Sequence, residues 1–230
     1  MQANIQWKEI KSGAYKFLTP SVSLLKKTGI TPNVVTTTGF LLTSVSAIVL
    51  VVGGEIGERG DHRYIAWFGV ITLLAGVFDM LDGHLARLTN NMTKFGAFYD
   101  SVLDRYSELV MFLGICYYMV SQDFLLSSIF AFIAMIGSIM VSYIRARAES
   151  LNVECKVGMM QRPERILTIG ISAIIYGIVS HFAGNFKFAM DSFPYLYIEN
   201  ISIFTIPIFI LAVLTNYTAY QRLNHCYKNM

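Results

Sequence analysis

The run Asn33–Gly53, NVVTTTGFLLTSVSAIVLVVG, contains no charged residue. A helix needs about 20 mainly apolar residues to cross the hydrocarbon of a bilayer, and this segment supplies them. Further apolar stretches follow over about 64–88, 96–120, 124–149, 162–184 and 200–222. The sequence therefore predicts an all-α integral membrane protein of six transmembrane helices, with residues 1–230 forming a single membrane domain. Composition agrees: 54% hydrophobic against 14% charged residues leaves too little polar surface to wrap a soluble globule. A soluble enzyme, a disordered tail and a disulfide scaffold are excluded, and no nucleic-acid partner is expected. Cys116, Cys155 and Cys226 show no paired spacing, which predicts free thiols.

Ahead of the first span, Lys8, Glu9, Lys11 and Lys16 break up any apolar run, so this is not a cleaved signal. Ile10, Ala14, Phe17 and Leu18 share one helical face, with Lys11 and Lys16 off it. Residues 4–28 thus read as an amphipathic helix lying in the membrane surface, bent at Pro20. Six spans put both termini on one side. That side holds fifteen of the eighteen Lys and Arg residues; only Arg59, Arg63 and Lys187 fall on the other. The positive-inside bias makes the fifteen-residue side cytoplasmic, in a multi-pass protein of the cell membrane. Gly53-Gly54 and Gly57 are expected in the first outer loop, Thr89-Asn90-Asn91 in an inner turn, and 183–198 as a long outer loop.

Two spans carry acids where hydrocarbon disfavours them. The second ends Asp79-Met80-Leu81-Asp82-Gly83-His84-Leu85-Ala86-Arg87, and the third begins Gly96-Ala97-Phe98-Tyr99-Asp100-Ser101-Val102-Leu103-Asp104. Asp79 and Asp82 share one helical face, Asp100 and Asp104 another. Only residues 88–95 join the helices, so the faces are expected to meet, with Gly83 and Gly96 permitting close approach. One Asp costs about 2.5–3.5 kcal/mol at a helix centre, and less towards the interface. Taken singly, each reads as an interfacial snorkeller; four together repel. Hard divalent ions with oxygen ligands, Mg²⁺ or Mn²⁺, would neutralise them and would in turn bind phosphates. Protonation or arginine pairing is a weaker solution.

The pattern Asp79-x2-Asp82-Gly83-x2-Ala86-Arg87-x8-Gly96-x3-Asp100-x3-Asp104 resembles the full signature of the CDP-alcohol phosphotransferases. The resemblance implies two metal ions held by Asp79, Asp82, Asp100 and Asp104, gripping the pyrophosphate of a CDP-linked substrate. It also implies Asp104 as proton acceptor, and nucleotide contacts from Asp79, Gly83, Ala86, Arg87, Thr93 and Gly96. Asn33, Val34, Val35 and Thr36, opening the first span, look like the family's other CDP-contacting segment. Homodimerisation is expected by the same analogy.

The acceptor must be read elsewhere. Arg145 and Arg147 end the fourth span, Arg162-Pro163-Glu164-Arg165 opens the fifth, and Arg222 closes the sixth. Arginines on helix ends facing a site suit bidentate capture of a phosphate; the plain alternative is helix-flanking snorkelling, which is the reading favoured for Arg162 alone. The stretch Arg-Ala-Arg-Ala-Glu and the later Arg-Pro-Glu-Arg look like the family branch that makes phosphatidylinositol phosphate from CDP-diacylglycerol and inositol phosphate. That likeness implies acceptor-phosphate binding at Arg145, Arg165 and Arg222, and the helix-end reading adds Arg147 to the set. Lysine is usual in that branch at Arg145, and glutamate at Gln161. The implied activity is transfer of a phosphatidyl group from CDP-diacylglycerol to inositol 1-phosphate, releasing CMP. Rivals are the same chemistry with glycerol 3-phosphate, serine or free inositol, and a cation-coupled transporter. Transport sites typically lie near midplane between repeats, and no second copy of the acidic segment occurs in the chain.

Overall fold

The computed structural model describes residues 19–20, 22–184, 186–190 and 193–230. Among these, six long helices follow one another: α1 (Pro32–Ile56), α2 (His62–Leu88), α3 (Lys94–Ser121), α4 (Leu125–Ser150), α5 (Arg162–Ala183) and α6 (Ser202–Asn229). Their ends follow local chemistry. Pro32 sits in the first turn of α1, where a missing N–H costs nothing. Asp61 caps α2 by accepting from the Arg63 N–H at 3.0 Å, and Thr93 caps α3 by accepting from the Gly96 N–H at 2.9 Å. The Arg63 guanidinium beside Asp61 also holds that carboxyl below its usual range, so the cap stays ionised. The last helix runs through Asn229, beyond the boundary near 222 read from hydropathy, because its final turns pack Cys226 against Ala148 and Cys155.

α1 lies against both α2 and α3; α2 packs on α5, α4 on α6, and the pairs α3–α4 and α5–α6 complete the bundle. Phe68, Phe112, Ile115, Tyr118, Tyr176 and Phe204 meet in the buried core. Outside, Leu41, Ile48, Leu113, Phe132, Ile178 and Val213 stand exposed around the bundle. A continuous apolar exterior of that kind requires lipid. Five helices are long and apolar enough to cross a membrane, and the chain is a multi-pass membrane protein. The sixth, α3, is as long as α6 but carries Asp100, Asp104, Arg105 and Glu108 in its first half.

Small residues set the helix spacing. A Cβ on Gly69 of α2 would lie 2.8 Å from the Ala173 Cβ of α5, and one on Gly114 of α3 would lie 2.8 Å from the Ala47 Cα of α1. Gly170 and Gly177, seven residues apart on α5, press closely on Leu73 and Ala66 of α2. Gly53 and Gly54 depart from the turn reading: they are helical, because Tyr64 and Ser121 pack where their side chains would be. The turn falls later, at Gly60 with φ of 71°. Asn90, at φ of 51°, makes the inner turn where it was expected.

The outer loop departs from the all-helical expectation. It forms a two-stranded antiparallel ribbon, β1 (Lys187–Met190) and β2 (Phe193–Glu199), with Lys187 opposite Glu199. Glu199 pairs with Lys187 at 3.2 Å and Arg59 at 3.6 Å, which ties the ribbon to the α1–α2 turn. The surface helix expected over 4–28 falls largely outside the described residues. Within it, residues 22–27 are helical, and Val22 is buried against Val35, Leu81 and Leu85. All three cysteines are free thiols.

The α1–α3 contact gives a direct test. Gly114→Ala should cost about 1–3 kcal/mol through overpacking, read as a lower thermal unfolding midpoint in detergent; an unchanged midpoint would show that α1 can yield.

Candidate active site

The last two turns of α2 and the first three of α3 each present acids to the space between them. The sequence pattern makes these two helices direct neighbours. Instead both lean on α1, and α2 and α3 make little backbone contact of their own. The gap is where the charge sits. Asp79, Asp82 and Asp100 each bring one carboxylate oxygen to within 4.8 Å of the others. Asp82 is buried, and its Oδ2 has no hydrogen-bond partner. A buried, unpartnered carboxylate oxygen in a three-acid cluster suits a hard, oxygen-seeking divalent cation, which would satisfy it.

Asp104 stands beside this triad. A single nitrogen of Arg162, Nη1, lies 2.5 Å from Asp79 Oδ1 and 2.6 Å from Asp104 Oδ1. Arginine pairing, set aside as the weaker solution, is thus realised for two of the four acids. Arg162 is the residue that sequence reasoning missed. At the head of α5 it looks like an ordinary helix-flanking arginine, and its only signal is the charge debt of the acids.

Two cavities open from the acidic cluster. The first, about 580 Å³, is lined by Asn33 and Thr36 of α1, Asp82, Gly83, Ala86 and Arg87 of α2, and Thr93, Gly96 and Asp100. Seven of these are the residues expected to touch a nucleotide. Asp79 is in the cluster but faces the second cavity. Arg87 is held by donating from Nε to the Gly83 carbonyl at 2.8 Å. A Cβ on Gly96 would come within 3.3 Å of Asn33 Oδ1, so that glycine admits the tip of α1. Val34 and Val35 do not join them. Val34 is exposed on the outer side of α1, and Val35 is buried against Val22, Leu81 and Leu85. Four successive helical residues point in four directions, so a contiguous segment cannot face one ligand throughout.

The second cavity, about 460 Å³, holds Asp79, Asp100 and Asp104 on one side and Arg105, Arg145, Arg162, Arg165 and Arg222 around it. Asp100 lines both cavities. Of the four arginines expected there, Arg147 is absent: it is exposed, turned to Ser150 at 3.4 Å, because it lies two residues from Arg145 and so on another face. Arg145 is half-exposed and pairs with Glu149 at 2.8 Å. Arg222 is buried and anchored to the Val141 and Val157 carbonyls at 2.6 and 2.9 Å. Arg165 is fully buried; its Nε donates to Glu108 Oε1 at 2.6 Å and its Nη1 to the Met160 carbonyl at 2.8 Å. Its Nη2 lies 2.6 Å from the same Glu108 oxygen but off the line of a hydrogen bond, which leaves a donor to spare.

Residues 29–193 match the family model for CDP-alcohol phosphatidyltransferase. The chain belongs to that family. A phosphatidylinositol phosphate synthase of Mycobacteroides abscessus is 33% identical over 166 residues, covering 70% of each chain. An archaetidylinositol phosphate synthase of Pyrococcus horikoshii is 34% identical over 155 residues, 67% of this chain and 74% of that one. Among solved structures, the phosphatidylinositol phosphate synthase of Mycobacterium tuberculosis with CDP-DAG bound superposes with a TM-score of 0.72 at 27% identity, covering 92% of this chain and 94% of the other. The same M. tuberculosis enzyme, in complex with manganese and citrate, gives 0.69 at 27% identity over 91% and 88%. As a CDP-alcohol phosphatidyltransferase the chain is an enzyme, a transferase of phospholipid synthesis.

The Arg165–Glu108 pair makes the phosphate-side arginine structural as well. Arg165→Ala should cost about 3–5 kcal/mol, since it strands a buried carboxylate. Glu108→Ala/Arg165→Ala should cost clearly less than the two single variants summed, by thermal unfolding of all four proteins; additive losses would dissolve the pair.

Proposed function

We propose that this enzyme transfers the phosphatidyl group of CDP-diacylglycerol to inositol 1-phosphate, giving phosphatidylinositol phosphate and CMP. One observation carries the reading: two cavities of different character share a single acidic cluster, with Asp100 in the wall of both. The first has the glycines and small polar groups that suit a nucleotide, and the second has five arginines that suit a separate phosphate. Free inositol or serine would bring no phosphate to a cavity so rich in arginine. Relatives on both sides of a wide evolutionary divide, bacterial and archaeal, carry names that specify an inositol phosphate product.

In this reading Asp79, Asp82, Asp100 and Asp104 would hold two Mg²⁺ or Mn²⁺ ions, which would supply charge neutralisation to the pyrophosphate of the CDP-lipid. Asn33, Thr36, Gly83, Ala86, Arg87, Thr93 and Gly96 seat the CDP moiety. Arg145, Arg165 and Arg222 orient inositol phosphate by its phosphate, bringing a ring hydroxyl to the phosphorus that bears the lipid. Asp104, at the edge of the acceptor cavity, takes the hydroxyl proton as the new P–O bond forms. The P–O bond to CMP breaks, and CMP leaves with the bonding electrons. All six helices span the cell membrane, an N-terminal helix lies in its surface, and both cavities open to the cytoplasm, where water-soluble inositol phosphate and CMP can exchange. A homodimer is the expected assembly.

Purified protein, labelled CDP-diacylglycerol and a panel of inositol 1-phosphate, glycerol 3-phosphate, free inositol and serine test this. CMP release is expected with inositol 1-phosphate alone, and only with Mg²⁺ or Mn²⁺ present; faster turnover of glycerol 3-phosphate would reassign the acceptor. Asp104→Asn should keep CDP-lipid binding while lowering kcat by about 10²–10⁴-fold. Turnover near the parent rate would remove Asp104 as the proton acceptor.

A further inference from the structure

Arg162 occupies a place that neither the signature nor the acceptor arginines account for. It comes from α5, a third helix, and one of its nitrogens contacts carboxylates of the other two: Asp79 of α2 at 2.5 Å and Asp104 of α3 at 2.6 Å. Nη1 thus sits on oxygens that a divalent ion would also use, and both ligations compete for the same lone pairs. Its side chain is largely covered, and its Nε is buried without a partner, so the guanidinium is not fully satisfied where it lies. The same residue lines the arginine-rich cavity. Arg105 provides a contrast in that cavity: it carries the same charge but hydrogen-bonds to Ser101 Oγ at 2.7 Å.

We propose that Arg162 is a tethered competitor of the divalent metal for Asp79 and Asp104, which metal loading displaces towards the acceptor cavity. The inference rests on the metal reading above. It makes Arg162 a positioning residue, one that keeps the acids of two helices together and sets how tightly the ions are held. A metal site built only from four carboxylates would bind cations strongly and hold the product's phosphates with them. An internal cation at the rim weakens that grip and lends its charge to the incoming phosphate once it is displaced.

Mn²⁺ titration of the purified protein, followed by the electron paramagnetic resonance signal of free Mn²⁺ with no CDP-lipid or acceptor present, tests this. Arg162→Gln should bind Mn²⁺ roughly tenfold more tightly than the parent, the factor for losing one charge-assisted contact. Arg162→Lys should fall between, and it preserves the comparison should glutamine weaken the fold. Arg105→Gln should tighten Mn²⁺ binding by clearly less than Arg162→Gln, since the Arg105 guanidinium acts on Asp100 only through space and bonds to Ser101 instead. Without metal, Arg162→Gln should unfold at lower temperature than the parent, and Mn²⁺ should restore it. Equal tightening in Arg162→Gln and Arg105→Gln would reduce the effect to bulk charge and overturn the proposal. Weaker Mn²⁺ binding in both Arg162 variants would overturn it too, by making the arginine a support for the metal ligands. Failure of the parent protein and of every variant to bind Mn²⁺ would instead remove the metal reading beneath it.

Discussion

Everything at one end of the helix bundle answers to four aspartates that cannot be left alone. Asp79, Asp82, Asp100 and Asp104 sit on helix ends in a region where a lone carboxylate is disfavoured and a group of them repels itself. The bundle responds by keeping α2 and α3 apart. Each rests on α1, and the wedge between them takes up charge rather than apolar side chains. The same separation leaves room for the cavity of about 580 Å³ that Asp82 and Asp100 line.

Counter-charge then comes from elsewhere in the chain. Arg162 reaches in from α5 to touch two of the acids, while Arg165, three residues further along the helix, is locked on Glu108 and becomes part of the core. Arg222 is fixed by two carbonyls. These buried arginines have few rotamers left to lose, so a phosphate entering the cavity meets preset donors and less ordering entropy opposes its binding. The far end of the bundle is knit independently. Asn200 bonds to Ser180, Gly184 and Phe186, and Gln122 receives the Gly60 N–H.

Much of this was legible in the residues. The helix boundaries of five spans agree with the uncharged runs to within about three residues, because apolar length is what a bilayer selects. Seven of the expected nucleotide contacts line one cavity, because i, i+3 and i, i+4 spacing on a helix fixes a common face whatever the surroundings. Val34 and Val35, expected from the resemblance, and Arg147, expected from its place at a helix end, do not line the cavities, because a helix scatters adjacent residues around its axis. Gly53 and Gly54 look like a turn until Tyr64 and Ser121 are seen packed against them. The ribbon at 187–199 had no alternating apolar pattern to announce it, and it depends on Arg59 from a distant turn.

By itself the sequence determined that the chain lives in a membrane and that acids from two spans lie on common helical faces, since hydropathy and short-range spacing are local properties; the CDP-linked chemistry came from the resemblance of its signature to a family. Only the tertiary structure decided which cations answer those acids and which arginines line the second cavity. Arg162 and Asp79 are 83 residues apart, Arg165 and Glu108 are 57 apart, and contacts of that range exist only after α1 has set the distance between its neighbours.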